Sequence, residues 1–341
     1  MLRREKRPPR NDMKSYIMKK FIQTIVIIFL LTSCAEQQVP VLPESTSTLV
    51  PTSIPTIVIP SATVGAIVPT NAPTNTPIVD TSLAESNQRF SPVDGMPQVL
   101  IPEGKFRMGG MDARSAPEER PAHYVTLHAY WIDQLEVTNA MYLLCVQSGT
   151  CKAPQSFKSL RRTDYFNNPE FNDYPVVYVT WEQAKTYCEW AQQRLPTEAE
   201  WERAARGDDW RTFPWGEDKA NGLLANYNMI VGDTSRVGTY PLGASTFGVL
   251  DMAGNVAEWT NDFYSGSYYA SLTDALNPTG PESSASLRRV VRGGSLGDAE
   301  INIRVPKRSS VLGSNLNAVP GSSSYLGDFS PRIGFRCAAD N

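Results

Sequence analysis

The sequence predicts an α+β fold with little regular secondary structure, in which short helices and short strands are joined by long loops. Three observations lead there. Helix-capping signals bracket runs of only about ten residues, apolar runs with strand character stop after about four or five, and from Thr239 onward Gly, Asn, Asp, Ser and Pro crowd the chain.

The fold does not begin at the N-terminus. From Met18 the chain reads MKKFIQTIVIIFLLTSC, two lysines followed by an apolar run from Phe21 to Leu31. At roughly 1.5 Å per residue, about eleven residues span half of a ~30 Å hydrocarbon core, which predicts a signal h-region rather than a membrane span. Leu31, Thr32, Ser33 and Cys34 resemble a bacterial lipobox. That implies a signal peptide over 1–34, a lipidated Cys34, and an exported protein lipid-anchored to the outer face of a bacterial cell membrane. Residues 35–96 read as a disordered tether. Between Pro40 and Pro77 lie eight prolines, twelve Ser or Thr and a single charged residue, Glu44, without the apolar periodicity needed to offset chain entropy.

Residues 97–341 are then one domain. Strands are predicted at Val99 to Ile101, Phe106 to Met108, Tyr124 to Leu127, Tyr130 to Glu136 and Val176 to Val179. Thr138 caps a helix over 139–147. The T-x-x-Q of Thr180 and Gln183 starts a helix over 181–192, and Thr197 with Glu200 starts another over 198–206, closed by Gly207. Beyond Thr239 the backbone is expected to be largely irregular.

Composition excludes several functions. The formal charge is −3, and no basic tract marks the domain, so a nucleic-acid partner is not expected. Two histidines cannot build a three-histidine zinc or iron site. If Cys34 is the anchor, four cysteines remain, and export favours disulfides among them. Three pairings exist. Spacing favours Cys145 with Cys151, closing a short loop, which leaves Cys188 for Cys337.

Seven segments carry a resemblance. FRMGG (106–110), YWIDQLEVTN (130–139), PVVYVTWEQAKTYCEWAQQRLPTEAEWERAARG (175–207), FPWG (213–216), FGVLDMAGNVAEWTNDFY (247–264), RGGS (292–295) and IGFRCA (333–338) stand in the order found in the formylglycine-generating enzyme, or sulfatase-modifying factor, family. The domain over 97–341 resembles that family nearly throughout. The resemblance implies a C-type lectin-like fold and a Cys188–Cys337 disulfide. It also implies calcium, held at a first site by the Asp251 and Glu258 side chains with the Gly254 and Val256 carbonyls. A second site would draw on Asn226, the Tyr227 carbonyl and Asp233. Hard oxygen donors in an irregular loop suit that ion.

The family's oxidase chemistry turns a substrate cysteine into formylglycine with copper(I), held by two cysteines after the GGS. Here Ser295 matches the family's active-site serine, but Asp298 and Ile303 stand at the two cysteine positions. Copper is therefore not expected, because copper(I) needs soft thiolates. Ala257 also replaces a tryptophan usual in the family. A related sulfoxide synthase binds iron through histidines of an additional helical domain, and His123 and His128 do not replace them. Arg292, Ser295, Arg304 and Arg308 are expected to line the cleft that receives a substrate or partner. The leading expectation is a membrane-anchored binding module for an exported protein, peptide or glycan. The alternatives are an oxidoreductase of the family acting through a different centre, with Asp298 as a candidate ligand, and a formylglycine generator with unusual ligands.

Overall fold

Small sheets, rather than one large one, organise residues 87–341, the residues that the computed structural model describes. The first has the order β1 (Gln88–Phe90), β2 (Pro97–Ile101), β5 (Tyr130–Asp133) and β11 (Ala338–Asp340), all antiparallel. It ties the start of the domain to its last residues. The second sets β3 (Gly104–Met108) against β4 (His123–Leu127), with β7 (Asp274–Leu276) parallel to β4. Alternation of side chains, the period-two rule of strands, is visible in β4, where His123, Val125 and Leu127 are buried and Tyr124 is exposed.

The third sheet has the order β10 (Ile333–Gly334), β6 (Ala257–Phe263), β8 (Arg288–Arg292) and β9 (Ser309–Leu312). The region beyond Thr239 is largely irregular, as expected, but it carries this sheet within it. Turn residues do dominate the loops there, but WTNDF and RRVV, read singly as loop and charge cluster, become strands by pairing with each other across about thirty residues of chain. Val176 to Val179 is corrected in the other direction. These residues form no strand: Tyr178 has φ +59°, and the valines are buried as loop side chains. The strand at Tyr130 ends at Asp133, three residues before the expected Glu136.

Helices α1 (Asn139–Gln147), α2 (Trp181–Trp190) and α3 (Glu198–Arg206) follow the capping signals. Both capping boxes are formed, with Thr180 and Thr197 accepting from the third backbone N–H and Gln183 and Glu200 reaching back. The second helix stops two residues earlier than expected, because Gln192 turns to φ +60°. A single turn, α4 (Ser323–Leu326), completes the helices among the described residues.

Two apolar clusters form most of the core. Trp259, Tyr187, Tyr142 and Phe335 surround the Cys188–Cys337 disulfide, while Trp201, Phe106, Ile132 and Met252 fill the space beneath α3. The Cys145–Cys151 disulfide is also formed, so the favoured pairing is the one present. The domain begins earlier than position 97: β1 pairs with β2, Met96 is fully buried, and Asp94 accepts a 2.6 Å hydrogen bond from the Tyr187 hydroxyl. Those contacts draw residues 88–96 out of the expected tether. Cys34, the signal peptide and the rest of the tether lie outside the described residues. Among the described residues, no helix is long and apolar enough to cross a membrane.

Candidate functional site

The third sheet places the GGS turn. β8 ends at Arg292, and Gly293 and Gly294 follow with φ +84° and +66°. Only glycine fits both demands there. A Cβ on Gly294 would lie 2.6 Å from the Asn302 carbonyl and 2.9 Å from Ile303 Cγ2. The turn delivers Ser295, nearly fully buried, whose backbone N–H and hydroxyl both donate to Asp298 Oδ2 at 2.8 and 2.7 Å. The turn is braced on its outer side. Asn228 N–H donates to the Asp298 carbonyl at 2.8 Å and Met229 N–H to the Leu296 carbonyl at 2.7 Å. Ile303 follows a short 3₁₀ turn, Glu300–Asn302, and is fully buried among Phe213, Ala220, Ala225 and Ala253.

A buried polar centre lies beside this turn. Glu258 on β6 accepts both arms of the Arg336 guanidinium at 2.7 Å, and Trp201 Nε1 donates to the same carboxylate at 2.7 Å. Glu136 accepts from Asn255 Nδ2 and the Val256 N–H, and Asp251, with φ +57°, accepts from Gly238 N–H at 2.6 Å. Three buried carboxylates thus share one arginine. Burial, reinforced by the neighbouring carboxylates, raises Glu136 well above the usual carboxyl range and Asp251 to about 6. Asn226 is adjacent: its carbonyl accepts from Asn255 N–H, its Nδ2 donates to the Asp233 carbonyl at 2.8 Å, and its buried Oδ1 has no partner among the described residues.

Comparison with known proteins fixes the family. A sulfatase-modifying factor enzyme 1-like domain matches residues 82–341. The chain belongs to the sulfatase-modifying factor family. The formylglycine-generating enzyme of Streptomyces coelicolor is 31% identical to this member over 312 residues, covering 75% of this chain and 93% of that one. The serine/threonine-protein kinase pkn1 of Chlamydia pneumoniae is 35% identical over 252 residues, 70% of this chain, but the match spans only 37% of that kinase. A solved structure, PvdO from Pseudomonas aeruginosa, is 27% identical with a TM-score of 0.59, covering 74% of this chain and 98% of that one. Since this sulfatase-modifying-factor chain spans about two fifths of the kinase relatives it matches, their activity does not transfer with the domain.

The residues at the two positions expected to match the family's thiolates do not fit copper(I). Asp298 is a hard oxygen donor already engaged by Ser295, Ile303 has no donor atom and is sealed in an apolar cluster, and all four described cysteines are in disulfides. The two histidines do not meet. His123 is buried edge-on to Tyr269, whereas His128 lies past the end of β4 against Asn277. Ala257 pairs with Ile333 in the parallel register of β6 and β10 and is half-buried.

The donors expected to hold calcium divide into engaged and open ones. Glu258 is neutralised by Arg336. Asp233 is enclosed by Ser159 Oγ, the Leu160, Arg161 and Thr234 N–H groups, and a 3.3 Å contact with Arg162. The Tyr227 carbonyl accepts from Ile230 N–H. Asn226 Oδ1 is the open donor. Among the described residues, no group of three or more His, Cys, Asp or Glu side chains is arranged to hold a metal.

The arginines expected in the cleft are corrected outright. Arg292, Arg304 and Arg308 are at most 2% exposed. Arg292 bonds Glu198 at 2.9 Å and Glu202 at 2.5 Å, Arg308 takes both oxygens of Glu198 at 2.7 and 2.8 Å, and Arg304 pairs with Glu119 at 3.1 Å. Arg292 and Arg308 tie α3 to the chain around it, Arg304 ties its loop to the turn at Glu119, and none of the three presents its charge to a partner. A basic, Ser-rich sequence cannot distinguish this from a solvated face, because the answering carboxylates lie about a hundred residues or more upstream.

Proposed function

We propose that this sulfatase-modifying-factor domain is a lipid-anchored, extracytoplasmic binding module for an exported protein or peptide, without copper-dependent formylglycine-generating activity. The replacement of both soft ligands by Asp298 and Ile303, one hydrogen-bonded inward and the other buried, is the observation that carries the reading. Such a scaffold supplies recognition through its loops, held in place by the disulfides and the buried ion pairs. Anaerobic copper(I) titration, with an oxidation assay on a CxPxR peptide, tests it. No stoichiometric copper binding and no aldehyde are expected, whereas turnover lost in D298A overturns the proposal. Anchoring is tested by radiolabelled palmitate incorporation, which C34A should abolish.

We also infer that calcium is held at the second of the two expected sites, around the Asn226 side-chain oxygen. Asn226 Oδ1 is a buried acceptor without a donor among the described residues. A cation there would satisfy the amide oxygen. Thermal unfolding with EDTA and with added calcium tests it. A midpoint several degrees lower in EDTA is expected, and N226A should remove the difference.

A further inference from the structure

The domain's buried guanidiniums are paired, but two at its surface are not. Arg161 and Arg332 have neither a hydrogen bond from the guanidinium nor a carboxylate within 4.0 Å among the described residues. Both are nevertheless seated on glycines. The Arg332 guanidinium lies 2.5 to 3.0 Å from where a Cβ on Gly297 would be, flat against the Ser295–Asp298 turn, and Arg161 lies 2.9 to 3.2 Å from the corresponding point on Gly232. Gly297 has no positive φ, so the close arginine, not backbone strain, is what its missing side chain accommodates. Arg332 is half-buried without a counter-charge.

The two turns are neighbours. Asn228 and Met229 N–H groups bond the carbonyls of Asp298 and Leu296, and Gly232 stands three residues after Met229. The two glycines are therefore no more than about 20 Å apart, the span of about six extended residues. Ile230 and Val231, on the segment that joins Met229 to Gly232, are 52% and 48% exposed. Asp298 does not cancel the two cations, because its carboxylate faces Ser295.

From this juxtaposition we infer that the face built by Arg161, Ile230, Val231 and Arg332 binds an extended acidic peptide segment, with apolar side chains at its centre and a carboxylate near each end. The inference rests on the binding-module reading and names its ligand. Carboxylates fit because a guanidinium receives them through two parallel N–H donors, and the apolar pair excludes water between the two contacts. An extended segment fits because, at about 3.3 Å per residue, about six residues or fewer cover the distance that the two glycines can be apart.

The test is selection of a random peptide library of about twelve residues on the full chain, followed by fluorescence anisotropy of the selected peptides. Selected sequences should carry two acidic residues, no more than about six apart, with apolar ones between them. Replacing either acid with its amide, or making R161Q or R332Q, should weaken binding by roughly tenfold, and higher salt should weaken it further. Neither arginine makes a bond from its guanidinium, so the variants should unfold at the wild-type temperature, separating recognition from folding. Binding within twofold of wild type in R161Q/R332Q, or selected peptides lacking acids, overturns this inference and leaves the binding module standing. A library without binders, or capture of dextran sulfate in place of peptide, likewise overturns this inference and not the binding module.

Discussion

Glu198→Gln isolates the reinterpretation of the cleft arginines as internal supports. Glu198 is 2% exposed and accepts three N–H groups, two from Arg308 and one from Arg292. In the E198Q variant one oxygen becomes an NH₂ pointing at guanidinium donors, and the charge that neutralised them is gone. Arg292 keeps Glu202, but Arg308 is left with neutral acceptors alone, one amide oxygen at position 198 and the Glu118 and Ser265 carbonyls. A buried charge left in that state costs about 3–5 kcal/mol. With a urea slope near 3 kcal/mol per molar, the unfolding midpoint should fall by roughly 1–1.7 M, read by tryptophan fluorescence. Acid adds a second readout. Burial works to raise the Glu198 carboxyl, but Arg308 and Arg292 outweigh it and hold the group below its ordinary range. Its stabilisation is thus present above the unfolded-state value near 4.5 and is lost as pH falls through the lower folded value, a limb that E198Q should lack. E198L/R308M, which removes both charges and keeps apolar volume, should recover much of the loss. A midpoint in E198Q within about 1 kcal/mol of wild type, or a double variant showing only the sum of the two single losses, would refute the reasoning.

Asp133 predicts the opposite slope at higher pH. Burial raises its carboxyl from 3.8 to about 7, so the folded protein holds a proton that the unfolded chain releases, and stability should decline as pH rises from about 4 to 7, by no more than about 4 kcal/mol. D133N should flatten that decline in calorimetry, and an unchanged slope would exclude Asp133 as its source. The two disulfides should differ: C188A/C337A opens a 149-residue separation and should cost about 5 kcal/mol on the loop-entropy model, against about 2 for C145A/C151A with a separation of six. Equal losses in urea titrations would exclude loop entropy as the main cause.

Local chemistry is legible wherever it acts within a few residues. Thr180 with Gln183 and Thr197 with Glu200 announce two helices because a capping box closes over three residues, and Thr138 does so for the first. The cysteines announce both bridges. Strands form where β2, β3 and β4 alternate or carry apolar runs, but not at Val176 to Val179, where an apolar run is buried as a loop. The third sheet is invisible locally because strand formation needs a partner, and β6 and β8 supply it to each other from either side of a long, turn-rich loop.

The sequence by itself determined the family and the capped helices, since each is a matter of residue type at a fixed spacing. Only the tertiary structure decided what the charges do. Arg292, Arg304 and Arg308 look like surface cations until Glu198, Glu202 and Glu119 are brought to them, and Arg161 and Arg332 look no different until nothing is. A charge's role depends on the dielectric and the counter-charge around it, and both are set by residues far away in the chain.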